Sequence, residues 1–150
     1  MSYHQKLSLF FLRISIGLLL FYAGISKLLN PNWTSAGYLK TAQTLSPFYN
    51  WLATSHNIGW VNFLNEWGLI LIGISLILGI FVRIASVPGM VLMVLYYIPI
   101  LHFPYVGKNP ASLLVDEHVL IIAGLLVLLA FDAGRFWGLE KRIFKFIKSK

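Results

Sequence analysis

The charged residues around the four apolar runs of this chain bracket them more than they interrupt them, and that spacing restricts the fold more than any motif does. The runs cover residues 6–29, 62–81, 84–102 and 113–131. At 1.5 Å rise per helical residue, the separations Arg13 to Lys27, Glu66 to Arg83 and Asp116 to Asp132 are roughly 21, 26 and 24 Å, near the hydrocarbon thickness of about 30 Å. A helix satisfies every backbone N–H and C=O within its own segment, which lipid demands. With 58% hydrophobic and 11% charged residues and a mean hydropathy of +0.76, the chain has more apolar surface than a soluble domain of 150 residues would bury. The expected fold is all-α: an integral membrane four-helix bundle, one domain over residues 1–150, with no internal repeat. A cleaved signal peptide is the rival reading of the first run, but Arg13 sits too deep and no small-x-small pattern follows.

Basic residues orient the spans. Lys6, Arg13, Arg83, Arg135, Lys141, Arg142, Lys145, Lys148 and Lys150 fall on the side of the termini, against Lys27, Lys40 and Lys108 opposite. The positive-inside bias makes both termini cytoplasmic in a multi-pass protein of the cell membrane. Most of the formal +7 charge then faces anionic headgroups, so lipid rather than nucleic acid is the expected partner. Leu139, Ile143, Phe146 and Ile147 share one helical face with the lysines mostly off it, which predicts a basic interfacial helix at the C-terminus.

This orientation gathers Lys27, Glu66, His102, Asp116, Glu117 and His118 at the outer helix ends. Intramembrane charge is costly unless it meets a partner, a wet cavity or the interface, so the cluster raises a functional hypothesis. Simple capping, with the acids at a helix start, explains the triplet Asp116-Glu117-His118 more modestly. An isolated Lys27 would be expensive, and an ion pair with Glu66, Asp116 or Glu117 is expected. Arg13, Gly17, Leu20, Gly24 and Lys27 form a stripe at steps of three and four, with glycines that permit close approach. Glu66 shares a face with Ile70, Gly73 and Ile77. By the same count Asp116 lies above Leu120, Ala123, Val127 and Ala130. Pro88 and Pro99 interrupt the third run, which would open a bend or pocket near Tyr96 and Tyr97.

Residues 30–61 form a long outer loop with Trp33, Tyr38, Phe48, Tyr49, Trp51 and Trp60 and little charge. Such an amphipathic segment would roof the polar cluster, or simply anchor at the interface; His56 within it reads as a solvated residue. Zero cysteines exclude thiol redox chemistry and thiolate metal sites by this chain alone. No dinucleotide, phosphate-loop or nucleophile-elbow motif occurs. His102 with His118 is the sole plausible haem pair. Zinc on His102, His118, Glu66 and Asp116 lacks any ligand-spacing motif, and no metal is expected.

The segments Tyr22-Ala23-Gly24-Ile25-Ser26-Lys27-Leu28, Asn65-Glu66-Trp67-Gly68, Leu78-Gly79-Ile80-Phe81-Val82-Arg83, Asp116-Glu117-His118 and Gly134-Arg135 with Gly138-Leu139 resemble the DoxX family, including its DoxD branch, over about residues 10–140. The resemblance implies a four-helix membrane protein associated with quinone-linked sulfur oxidation; DoxD works with a separate DoxA subunit in thiosulfate:quinone oxidoreductase. Three functions stay open. In the first, the chain is a subunit of a quinone-linked oxidoreductase, with quinone as acceptor and no covalently bound cofactor. Glu66, Asp116, Glu117 or His118 would then move protons, and Lys27, Trp67, Tyr96 and His102 would contact the ligand. In the second, it is a non-catalytic anchor for a partner redox subunit. In the third, it is a small-molecule carrier, which at this size would have to form a homo-oligomer.

Overall fold

The computed structural model describes residues 1–103, 105–106 and 114–140. Among the described residues six α-helices follow in chain order: α1 Tyr3–Leu28, α2 Ala36–Lys40, α3 Ser46–Leu52, α4 Ile58–Leu78, α5 Val82–Ile100 and α6 Glu117–Ala130. The four apolar ones close a ring of contacts, α1 against α4 and α6, and α5 against the same two. Three of them, α1, α4 and α5, are long and apolar enough to cross a membrane. Side chains such as Leu18, Leu71 and Ile84 stand exposed on their outward faces, 53%, 60% and 69%, where lipid would cover them.

Helix α1 begins at a capping box: the Gln5 N–H donates to Ser2 Oγ at 3.3 Å and the Ser2 N–H to Gln5 Oε1 at 2.8 Å. Its buried face carries Leu9, Arg13, Ile16, Gly17, Leu20 and Gly24 at steps of three and four. Glycines bring α1 onto α4 backbone to backbone: a Cβ at Gly73 would lie 2.8 Å from the Gly17 carbonyl oxygen, and one at Gly24 2.9 Å from that of Glu66. Helix α4 ends at Gly79, whose left-handed φ of +67° suits glycine, and three residues later α5 runs back.

Beside Gly79 the chain closes on Arg13. Its guanidinium Nη1 donates to the carbonyls of Ala133 at 2.9 Å and Phe136 at 3.2 Å, and Nη2 to Trp137 at 3.5 Å. These carbonyls belong to the 3₁₀ turn Ala133–Arg135 and the residues after it. The Leu139 and Glu140 N–H groups then bond the Leu78 and Gly79 carbonyls at 3.1 and 3.2 Å. Arg13 is thus a cap for a segment far away in sequence, satisfying carbonyls that a helix end would leave orphaned.

Element boundaries depart from the expected spans. Helix α4 starts a turn before residue 62, because Asn57 and Trp60 build a polar start that hydropathy does not mark: Trp60 Nε1 donates to Asn57 Oδ1 at 3.2 Å. Helix α5 stops at Ile100 rather than residue 102; Leu101 is extended and pairs with Val106 as His102 pairs with Tyr105, a two-residue antiparallel ladder in a fold expected to be all-α. Helix α6 has 14 residues and starts at Glu117, with Leu114 and Val115 outside it, so it is shorter than the run 113–131. The expected C-terminal interfacial helix falls mostly on residues 141–150, outside the described residues.

Residues 30–57 fold over the Lys27 end of the ring. Leu39, Ala42, Tyr49, Leu52 and Ala53 form their own apolar cluster, joined by Ile58, Val61 and Ile98. Pro99 explains one attachment. It has no N–H for the Leu95 carbonyl four residues before it, and the Tyr49 hydroxyl donates to that carbonyl at 3.1 Å instead. The Gln43 N–H donates to the Pro99 carbonyl at 2.9 Å, and Thr44 Oγ1 to that of Leu101 at 2.6 Å.

Candidate functional site

A cavity of about 630 Å³ lies at the Lys27 end, between the ring of helices and the segment folded over it. Its floor is apolar and deeply buried: Leu20 from α1, Leu69 from α4 and Met93 from α5. Its polar groups come from four elements. Lys27 closes α1, Asn65 sits on the inward stripe of α4 with Leu69, Ile72 and Leu76, Tyr96 lies in the last turns of α5, and His118 opens α6.

Asn65 organises the first group. Its Oδ1 accepts from Lys27 Nζ at 2.8 Å and from Tyr96 Oη at 2.6 Å, while Lys27 Nζ also reaches Tyr96 Oη at 3.4 Å. The ammonium lies 5.1 Å from the Trp33 ring centroid and 5.0 Å from that of Tyr96, both within cation–π range. One amide oxygen therefore fixes a cation and a phenol, and two aromatic faces hold the cation from the sides. An ammonium has three donors, so Lys27 retains capacity toward the cavity.

Asp116 organises the second. Its extended backbone makes it the N-cap of α6, where Oδ1 accepts the N–H of His118 at 3.0 Å and of Val119 at 3.2 Å. Its Oδ2 meets His118 Nδ1 at 2.6 Å. A carboxylate at Nδ1 favours the tautomer with the proton there and leaves Nε2 as the acceptor nitrogen. The His118 ring packs against Tyr96, centroids 5.9 Å apart at 73°, so the two groups share a wall.

From the covering segment, Tyr38 donates its hydroxyl to the Tyr96 carbonyl. Burial pushes the Tyr38 phenol up to about 12, with Tyr49 and Asp116 adding to the shift, so it stays a neutral donor near pH 7. Ser35 is held by Asn62, whose Oδ1 accepts from both its N–H and its hydroxyl at 3.0 and 2.7 Å.

Several sequence expectations need correction. Lys27 is partnered by Asn65 and Tyr96, and among the described residues no carboxylate forms an ion pair with it. Glu66 is half-buried beside the α1 contact and does not line the cavity. Trp67 is 40% exposed, leans toward Phe63 and lies outside the site. His102 is exposed in the short ladder because α5 ends before it, so it joins neither Tyr96 nor His118. Glu117 is exposed but lines the cavity mouth. The stripe counted from Asp116 is mostly the outward face of α6: Leu120, Ala123 and Ala130 are exposed and Val127 is only partly buried against the core, while Gly124, Leu125 and Leu128 are buried. The count fails since Asp116 is an extended cap, not a helical residue. Asn65, absent from the sequence-based set, had a signal: a polar residue on a stripe of buried leucines and isoleucine must find partners.

A family model described as DoxX matches residues 8–102. The match includes Lys27, Asn65 and Tyr96 and stops before Asp116 and His118. No curated protein and no solved structure matches the chain.

Proposed function

The chain belongs to the DoxX family, and from that premise we propose that it is the membrane subunit of a quinone-linked oxidoreductase whose acceptor binds in the Lys27 cavity. The supporting observation is the pairing of two preorganised polar groups, Lys27 with Tyr96 on Asn65 and His118 on Asp116, along one apolar cavity of about 630 Å³. That volume falls in the range of small-molecule sites, and apolar walls with few convergent polar groups are their usual make-up. A quinone headgroup would be held by Lys27 and His118; when bound it supplies two-electron acceptance.

Each residue then has a defined task. Lys27 stabilises negative charge that develops on an oxygen beside it, and it does so without reorganising because Asn65, Trp33 and Tyr96 already fix its position. His118 Nε2 gives or takes a proton, with Asp116 holding the ring and compensating the imidazolium. Glu117 at the mouth exchanges that proton with solvent. The covering segment limits water entry. Both termini face the cytoplasm in this reading, which sets the cavity in the outer leaflet of the cell membrane and makes α6 the fourth span. Electrons arrive from a partner subunit, where we place the oxidation of a thiosulfate-type sulfur compound.

The test is quinone-reduction turnover of the purified assembly carrying His118→Gln or Asp116→Asn. Loss of about a hundredfold or more is expected with the complex still formed, the usual weight of a positioned acid–base group. Near-parent turnover in both variants would remove the proton-transfer role. Failed assembly with unchanged turnover per assembled complex would favour the anchor function.

A further inference from the structure

The cavity is not walled equally on all sides. Its floor residues Leu20, Leu69 and Met93 are 2%, 1% and 2% exposed, whereas Leu19 and Tyr22, which also line it, are 53% and 74% exposed. Leu19 and Tyr22 lie on the outward face of α1, and across the cavity from α1 stand Glu117, His118 and Ile121 of α6. The same two helices touch closely lower down. A Cβ at Gly124 would lie only 2.5 Å from Ile16 Cδ1, with Leu12 Cδ1 at 3.7 Å. So α1 and α6 are pinned around Ile16 and Gly124 and separated by the cavity one to two turns further toward the Lys27 end. Between the level of Glu117 and His118 and the Ile16–Gly124 contact, the gap is lined by Leu19, Ala23 and Ile121 and opens onto the outward face of α1, which lipid would cover.

Resting on the quinone reading above, we infer that the α1–α6 seam seats the hydrocarbon tail of a lipid-soluble quinone whose head sits between Lys27 and His118. The polar groups lie at the end covered by Trp33, Ser35 and Tyr38, the side chains of Leu19, Tyr22 and Ile121 line the opening between α1 and α6, and that order matches a molecule with a carbonyl head and an alkyl tail. A tail in the seam exchanges lipid contacts for a fitted apolar wall, so its contribution is van der Waals packing and the orientation it gives the head rather than removal from water. Leu19 and Ile121 flank the tail, and Tyr22 stands where it emerges.

The absence of native cysteine makes the seam addressable one position at a time. In the full chain, Leu19→Cys is labelled with a bulky thiosulfonate that forms a mixed disulfide and is removed by reductant. Leu71→Cys on the lipid face of α4, 60% exposed and outside the cavity lining, serves as the control position. Binding is measured in lipid nanodiscs with a tailless quinone and with the same headgroup bearing a ten-carbon tail. The adduct at position 19 is expected to weaken the tailed form at least about tenfold, with reductant restoring it, and to leave the tailless form within about twofold. The adduct at position 71 is expected to change neither. Unchanged binding of the tailed form, or equal loss of both forms, overturns the tail seat while leaving the quinone reading in place. If the unlabelled protein binds neither form, the quinone reading fails and the tail seat falls with it.

Discussion

At the end of the helix ring where α4 turns into α5, Arg13 of α1 is 0% exposed and its guanidinium donates to three backbone carbonyls of the segment after α6; at the opposite end, Lys27 is half-buried and its ammonium reaches side chains on the rim of a cavity. Both cations lie on one stripe of one helix. The difference is in what surrounds them. Around Arg13, Gly79 and Gly138 bring backbone so close that a Cβ on either would lie 2.6 or 3.1 Å from Nη1, and no room is left for a ligand. Around Lys27, the partners are the side chains of Asn65, Tyr96 and Trp33, and an apolar space of about 630 Å³ adjoins them. A buried cation tied to backbone holds a fold together; one tied to side chains beside a cavity keeps donors available for a ligand.

This contrast is sharpest in variants that treat the two ends alike. Arg13→Met strands the carbonyls of Ala133, Phe136 and Trp137 in a dry site. A stability loss of about 3–5 kcal/mol is expected, since several charge-assisted hydrogen bonds go at once; thermal unfolding in detergent checks it. Gly79→Ala comes next, at about 1–3 kcal/mol. The left-handed φ of +67° disfavours any side chain there, and the new methyl would meet Nη1. Tyr49→Phe frees the Leu95 carbonyl that Pro99 leaves unpaired, a loss of about 1 kcal/mol that should fall mainly on residues 30–57 and appear as faster hydrogen exchange there. The smallest effect on stability is expected for Lys27→Met, below about 1 kcal/mol, because a methionine chain packs in the same space and Asn65 keeps Tyr96 as its donor. If Lys27→Met unfolds the protein as Arg13→Met does, the two ends do not differ in the way described.

The inward stripe of α1 was legible because glycine and cation spacing follows the helical period, and the three long apolar helices because their length suits the bilayer. The site was only half legible. Looking for charge found Lys27, Asp116, Glu117 and His118, which do line or support the cavity, and also Glu66 and His102, which do not. Asn65 escaped because it is neutral, although its place among Leu69, Ile72 and Leu76 marks it as buried. Trp67 and His102 do not line the cavity: two residues of helical rotation turn Trp67 away from inward Asn65, and the backbone becomes extended at Leu101, just before His102. The match of Tyr49 to the Leu95 carbonyl joins residues 46 positions apart, and no local pattern announces such a contact.

The claim that the Lys27 end binds a quinone is tested most directly by equilibrium binding of a tailless quinone to the folded parent protein and to Lys27→Met. Measurable binding by the parent, weakened at least about tenfold in Lys27→Met at unchanged melting temperature, is the expected result. Equal affinity in the two proteins, or no binding by the parent, would contradict it.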